Sequence, residues 1–316
     1  MYLSLFYGIL PVPYMNNLCC LSYAVFLLYQ RKISKSDRDL ARKLICEFCT
    51  TFSALYGERY QTLNFHNLLH LVDNVENIGP LWSFDCFAFE NASGQILKQI
   101  HGTQHIDTQI LKAVSVLQKL PILIRNLQNS CPNGKTFAAT MMTKCISKLE
   151  KRLGDHMYAL GKVTRVAMSG EYRNLITIFL KYVLLGVEIL QFVRYRNGNV
   201  VFHSKMYKRV KRRNSYTVMY VEDGVKMFGM IKCCMTLVID NGFNSEERHV
   251  GLIECLDVLH DCLGLASHIK VVKNVEQPLQ KLVLLENIAQ VCVWLEFEDI
   301  LDVSFISLIP NISKVA

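Results

Sequence analysis

A single carboxylate at the start of a predicted helix is the first feature that could do chemistry. Glu90 follows the aromatic residues Phe87 and Phe89, and the sequence after it, with Lys98 and His101, has a helical pattern. Carboxylates are preferred ligands of Mg²⁺, so Glu90 could belong to a metal site whose other members lie elsewhere. It could equally be an ordinary acidic residue in a first helical turn, where it favours the helix dipole.

A dense run of basic residues is the second such feature. The sequence KMYKRVKRR, residues 205–213, holds six Lys or Arg around Tyr207. Cations at this density attract phosphates through counterion release, and interleaved aromatic rings can pack on sugars or bases. The run is also typical of a nuclear-import signal, and the alternative is a solvated strand-and-turn surface. We predict DNA contacts from its six cations, Lys205, Lys208, Arg209, Lys211, Arg212 and Arg213.

Two cysteines and two histidines have spacings that resemble a zinc finger. Cys46 and Cys49 are followed by His66 and His70, but the sixteen residues between the pairs exceed the usual range. Both cysteines also fall within a predicted amphipathic helix, where cysteine usually serves as a small core residue. The histidines lie one turn apart and could face one site, or they could lie on a half-buried helix face. The sequence therefore favours core packing over zinc.

Length and composition indicate an ordered, globular chain. It has 316 residues, of which 51% are hydrophobic and 20% charged, with a formal net charge of +8. Twelve cysteines spread over so long a chain favour reduced thiols in a nuclear or cytosolic protein over a secreted disulfide scaffold. The N-terminus lacks the basic lead of a signal peptide, and the apolar runs are too short or too charged to span a membrane. P-loop, dinucleotide-binding and hydrolase motifs are absent.

The elements that must position these residues follow from apolar spacing. A spacing of three and four residues predicts helices, and short Val-, Tyr- and Thr-rich runs between turn signals predict strands after residue 195. An extended aromatic segment is expected at 82–89, directly before Glu90. Helices are expected over 36–57, 64–77, 106–120, 136–152 and 172–190, with a further one from about Glu90.

The predicted fold class is α+β. A predominantly helical N-terminal two-thirds is followed by a small, β-rich, barrel-like domain. The predicted domains are a helical region at 1–130, a second helical region at 131–195, and the β-rich domain with the basic run at 196–316.

The segment from His66 to Ile110 resembles the end of the catalytic region of En/Spm (CACTA) transposases and of related animal transposase-domain proteins. The shared features are a helix with HLVDNV, then GPLW, an aromatic stretch closing in FxFE, a helix with GQILK and the HGTQ break. The segments YGERY at 56–60 and FHSKMYKRVKRRNSYTV at 202–218 are similar to the same animal group.

The resemblance implies an RNase H-like core in which a DDE set of carboxylates binds two Mg²⁺ ions. Two such ions stabilise the attacking and leaving oxygens when DNA is cut and rejoined. Glu90 takes the position of the last acidic ligand, and Lys98, two turns further along that helix, could meet a phosphate. The first two aspartates have no counterpart, because the 65 residues before His66 have helical patterns. The chain thus resembles the C-terminal part of a transposase without most of its sheet, and it holds no cofactor of its own.

Three functions follow as alternatives. The first is a catalytically incomplete, nuclear, transposase-derived protein that binds DNA. The second is a nuclear interaction module, associated with chromatin, whose β-rich domain binds a partner protein. The third is a nuclease completed by another chain that supplies the missing N-terminal region. A membrane partner is not expected.

Overall fold

The protein combines helices and sheets in an α+β fold. The computed structural model describes residues 2–130, 134, 137, 150–181, 186–208, 214–240, 245–262, 264, 266–296 and 303–310. The chain forms two compact units, one of Met1–Pro80 with Leu149–Ala316 and one of Leu81–Lys148. Among the described residues, no helix is long and apolar enough to cross a membrane.

The N-terminal helices of the first unit confirm the helical spacing in the sequence. They are α1 (Tyr2–Phe6), α2 (Val12–Leu28), α3 (Lys35–Tyr56), α4 (Leu63–His66) and α5 (Leu71–Ile78), with short 3₁₀ turns at Glu58–Tyr60 and Asn67–His70. Ser34 caps α3 by accepting the N–H of Asp37, whose carboxylate accepts the N–H of Ser34 in return. Gly57 ends α3 with a φ of 97°, a backbone conformation that favours glycine.

The second unit contains the segment around Glu90, and here one prediction was wrong. Residues expected to be extended at 82–89 instead form a 3₁₀ turn at Leu81–Ser83 and the start of α6 (Phe87–Leu97). The Asp85 carboxylate accepts the N–H of Phe87 at 3.1 Å, a local bond that starts a helix rather than a strand. Helix α7 (Ile106–Ser130) continues through Pro121 and past the predicted end at 120.

The strands begin much earlier in the chain than the sequence predicted. Instead of a helical region at 131–195, the described residues from 150 onward contain four strands, the start of a fifth and the helix α8 (Gly170–Leu180). The physical reason is long-range pairing, because Val187–Phe192, in which Glu188 and Gln191 stand among apolar residues, is hydrogen-bonded to a strand on each side. Periodicity alone cannot distinguish such a run from a buried helix. Most of 136–149 lies outside the described residues.

The strands form two open antiparallel sheets. The small sheet has the order β1-β2-β5-β6. The large sheet has the order β10-β11-β14-β13-β7-β8-β4-β3, with β9 paired to β8 and β12 to β9. The described strands do not close into a barrel. The strands are β1 (Glu150–Gly154), β2 (Met157–Leu160), β3 (Thr164–Val166), β4 (Val187–Phe192), β5 (Arg194–Asn197), β6 (Val200–His203), β7 (Thr217–Glu222), β8 (Val225–Asp240), β9 (Ser245–Cys255), β10 (Asp257–Cys262), β11 (Ala266–Lys273), β12 (Gln280–Leu284), β13 (Ile288–Leu295) and β14 (Val303–Leu308).

One core lies between the small sheet and the large sheet. Ala159, Tyr195 and Phe202 of the small sheet are buried in it, and the last two rings stack at 4.7 Å between centroids. Successive side chains of a strand point to opposite faces. The neighbours of these residues in the chain therefore point away from the core, on what we call the outer face of the small sheet.

A second core joins the N-terminal helices to the far end of the large sheet. Leu3 and Met15 are at most 2% exposed and pack with Ile269, Val271 and Phe305. The beginning of the chain and its last described strands thus share one apolar cluster.

Candidate nucleic-acid interface

Glu90 is a solvent-exposed carboxylate in the first turn of α6. Lys98 is exposed as well and is the C-cap residue of the same helix. Within the described ranges there is no cluster of three or more His, Cys, Asp or Glu side chains that could hold a metal ion. Glu90 thus lies in the first turn of a helix that follows a turn, not the expected extended aromatic segment, and its role as a metal ligand stays a prediction.

The cysteine and histidine pairs form no group of three or more possible metal ligands in the described part of the chain. On α3, Cys46 is exposed whereas Cys49 is buried. His66 and His70 are exposed neighbours with 3.4 Å between their Nε2 atoms. The Nδ1 atom of His70 lies 3.7 Å from Asp73. Both imidazoles are therefore more exposed than the half-buried helix face that the sequence predicted for them.

Two of the six cations in the basic run fall within the described residues. Lys205 Nζ lies 2.5 Å from a carboxylate oxygen of Glu254, and Lys208 is exposed. Arg209, Lys211, Arg212 and Arg213 lie outside the described residues, so their predicted DNA contacts stay predictions of the sequence.

The outer face of the small sheet carries basic and aromatic side chains in rows across the strands. In the strand register, Tyr158 of β2 lies opposite both Arg152 of β1 and Arg196 of β5. In the next row Arg194 of β5 lies opposite His203 of β6. All five side chains alternate with the buried residues of the core, so they belong to the outer face. Arg152 is exposed, and the other four are half-buried.

Two guanidinium groups are held over tyrosine rings on this face. The Cζ atom of Arg196 lies 4.4 Å from the ring centroid of Tyr158, and that of Arg194 lies 4.5 Å from Tyr207. The ring of Tyr207 also lies 4.8 Å from that of His203. Contacts of this kind hold the charged group through the quadrupole of the ring.

The basic run begins on this same face. After β6 the chain turns, and the N–H of Tyr207 donates to the carbonyl of Ser204 at 2.9 Å. The turn brings Tyr207 back over Arg194 of the neighbouring strand. Lys208 therefore leaves the sheet from the side where Arg194 and Arg196 lie.

The face carries more positive than negative charge. Two of its arginines have carboxylate partners, Arg152 with Asp155 at 2.9 Å and Arg196 with Glu150 at 3.1 Å. Lys205 instead pairs with Glu254 of β9 in the large sheet, at 2.5 Å. Among the described residues, Arg194 and Lys208 form no ion pair, which leaves an excess of two positive charges. Burial, with the nearby charge of Arg194, lowers the pKa of His203, so this imidazole is neutral at pH 7.

Sequence reasoning found the run but missed the sheet face. Arg152, Arg194 and Arg196 are isolated arginines in the sequence, and only strand pairing brings them together with Tyr158. The alternating Arg-Tyr-Arg at 194–196 was the one local signal, since alternation predicts a strand with both arginines on one face.

Comparisons with known proteins found no match to this chain. No protein-family model, no curated protein and no solved structure matches it. The similarity to CACTA transposases consequently rests on the residues quoted above, and the interface rests on its own geometry.

Proposed function

We propose that this protein is a transposase-derived, nuclear, nucleic-acid-binding protein, with DNA as its partner. The observation that carries the proposal is the pair of guanidinium groups, of Arg194 and Arg196, held over tyrosine rings on an open sheet face where the basic run begins. The similarity of residues 66–110 to transposases supports the proposed transposase origin of the protein.

Phosphate binding is the chemistry that this face supports best. An arginine whose rotamer is already restricted loses less side-chain entropy when it binds a ligand. Each phosphate that a cation neutralises also releases condensed counterions, and this release supplies most of the sequence-independent affinity. Arg194 and Lys208 have no carboxylate partner among the described residues, so a phosphate would not have to displace one. We assign the first contacts to these two residues and to Arg196.

Catalysis is not part of the proposed function. One carboxylate cannot hold the two metal ions that strand transfer requires, so we propose that Glu90 is a relic of the last acidic ligand of a DDE set. On this proposal, Mg²⁺ is bound only by an intact relative that has the missing acidic ligands. The helical part then derives from the C-terminal end of an RNase H-like core, and a β-rich domain follows it.

A salt titration of DNA binding tests the proposal. Binding of a fluorescently labelled oligonucleotide is measured by anisotropy between about 50 and 200 mM salt, with the wild type and with Arg194→Gln, Arg196→Gln and Lys208→Gln. We expect affinity to fall steeply with salt, and each substitution to reduce the slope of log K against log[salt] by about 0.7–0.9. Matched controls are Arg173→Gln on α8 and Lys43→Gln on α3, both exposed, which should bind like the wild type.

Two results would contradict the proposal. One is a wild type that shows no salt-dependent binding, and the other is full binding by the triple variant of Arg194, Arg196 and Lys208. The first result would favour the alternative of a nuclear module that binds a partner protein. Metal-dependent strand cleavage that is lost in Glu90→Gln would instead support a nuclease, contrary to the assignment of Glu90 as a relic.

A further inference from the structure

We infer that the outer face of the small sheet binds single-stranded rather than duplex nucleic acid. The inference rests on the proposed function and specifies the form of the ligand at the same site. It depends on three properties of the face: its width, its ring–guanidinium pairs and its modest charge.

The width of the face disfavours groove binding. Four paired strands at about 4.8 Å spacing place the outer strands roughly 14 Å apart, before side chains are counted. The major groove of B-DNA is about 12 Å wide and admits a helix or a two-stranded ribbon. The pair of Arg196 with Tyr158 joins β5 to β2, the two inner strands of the small sheet, so it cannot enter a groove as the edge of the sheet could.

The ring–guanidinium pairs provide surfaces on which bases can stack. Tyrosine rings and arginine guanidinium planes both stack with unpaired bases. Arg194 and Arg196 are two residues apart on one face of β5, which corresponds to about 6.8 Å along the strand. Two neighbouring bases of an extended single strand could each use one pair. In a duplex the bases already stack on each other and offer no free face to a flat sheet.

The described residues of the face carry too little charge to rely on phosphates alone. Their excess is two positive charges, from Arg194 and Lys208, because Arg152 and Arg196 have carboxylate partners. A duplex presents more charge per unit length than a single strand, so purely electrostatic sites gain from duplex DNA. A weakly charged face with stacked rings gains more from the unpaired bases of a single strand.

A comparison of single-stranded and duplex oligonucleotides with equal numbers of phosphates tests the inference. The full chain is titrated at about 100 mM salt with non-self-complementary single strands, as DNA and as RNA, and with duplex DNA. We expect the single strand to bind at least about tenfold more tightly than the duplex. Whichever of the DNA and RNA single strands binds more tightly identifies the ligand as DNA or as RNA.

Substitution of the tyrosines separates stacking from charge. Tyr158→Leu and Tyr207→Leu should each weaken single-strand binding about 5- to 150-fold, the range expected for loss of one stacked base, with duplex binding and the salt slope unchanged. The conservative Tyr158→Phe and Tyr207→Phe keep the rings and should keep the affinity. Tyr60→Leu is a matched control, because Arg59 lies over Tyr60 at 4.6 Å in the helical region, away from the small sheet.

The outcomes distinguish this inference from the proposed function. Equal or tighter binding of duplex DNA would overturn the single-strand inference and leave nucleic-acid binding intact. Unchanged single-strand affinity in folded Tyr158→Leu and Tyr207→Leu would overturn it as well. Absence of binding to every oligonucleotide would overturn the proposed function itself. Circular dichroism of each variant shows whether the fold is retained.

Discussion

At the scale of single residues, His268 shows how packing suppresses the charge of an ionisable group. This imidazole on β11 is 5% exposed, and its ring centroid lies 4.5 Å from that of Phe26 and 5.6 Å from that of Tyr23. Burial, with the charge of Lys270, lowers the pKa of His268 to about 4. An unfolded histidine has a pKa of about 6.5, so the unfolded chain takes up a proton in a pH range where the folded chain does not. The stability that the neutral imidazole contributes is therefore present above about pH 6.5 and is lost as the pH falls towards 4.

We predict that His268→Phe reduces the pH dependence of stability. Between pH 7 and pH 5 the wild type should lose about 2 kcal/mol of unfolding free energy through this histidine alone, a loss that the variant avoids. Phenylalanine keeps a flat ring packed against Tyr23 and Phe26, so the stacking is largely retained. Urea unfolding of both proteins at the two pH values measures the difference. Parallel pH profiles would show that His268 protonates in the folded state as readily as in the unfolded chain.

The candidate interface also shows which residues sequence reasoning can find. Lys205 and Lys208 belong to a dense run, and such a run is visible without a structure. Arg194 and Arg196 become part of the same surface only through the pairing of β5 with β2 and β6, and through the turn that returns Tyr207 to the sheet. β2 and β5 are separated in the chain by β3, α8 and β4, and a pairing between such distant strands leaves little trace in local spacing. This explains why the sheet face could not be predicted.

At the scale of elements, helices with clear boundaries were predicted well and isolated apolar runs were not. Helix α3 was predicted to within one residue at each end, because its apolar spacing and Gly57 are local signals. The capping residue is Ser34, two residues before the predicted start at 36. Strand β4 was predicted as helix because its polar residues, Glu188 and Gln191, are three positions apart and do not alternate with the apolar ones as in a half-buried strand.

The cap of α3 gives a prediction at this scale. Ser34→Ala removes the acceptor for the N–H of Asp37 and should lower the unfolding free energy by about 1 kcal/mol. Ser34→Asn restores a capping acceptor and should recover most of that loss. Urea unfolding followed by circular dichroism at 222 nm measures both effects. Equal stability of Ser34→Ala and the wild type would mean that water replaces the cap at no cost.

At the scale of the whole molecule, the first unit is built from the two ends of the sequence. Leu3 of α1 and Met15 of α2 are buried against strands β11 and β14, more than 240 residues later. Burial of these two side chains contributes about 3–6 kcal/mol, a large share of the 5–15 kcal/mol that typically separates folded from unfolded domains. Such distant contacts make the N-terminal helices an integral part of the β-rich unit.

This construction predicts that residues 81–148 can be removed without unfolding the first unit. The core clusters described for that unit draw only on residues before Pro80 and after Leu149, so a Gly/Ser linker of about 20 residues in place of 81–148 should leave them intact. We expect the shortened chain to unfold cooperatively in urea, with the pH dependence of His268 preserved. It should also bind nucleic acid as the full chain does, apart from any contribution of Lys98.

Removal of residues 2–33 is the opposing variant. It exposes the apolar surface of β11 and β14 and should give a protein that aggregates or loses cooperative unfolding. A shortened chain without 81–148 that behaves in that way would show that the first unit depends on the second for its stability.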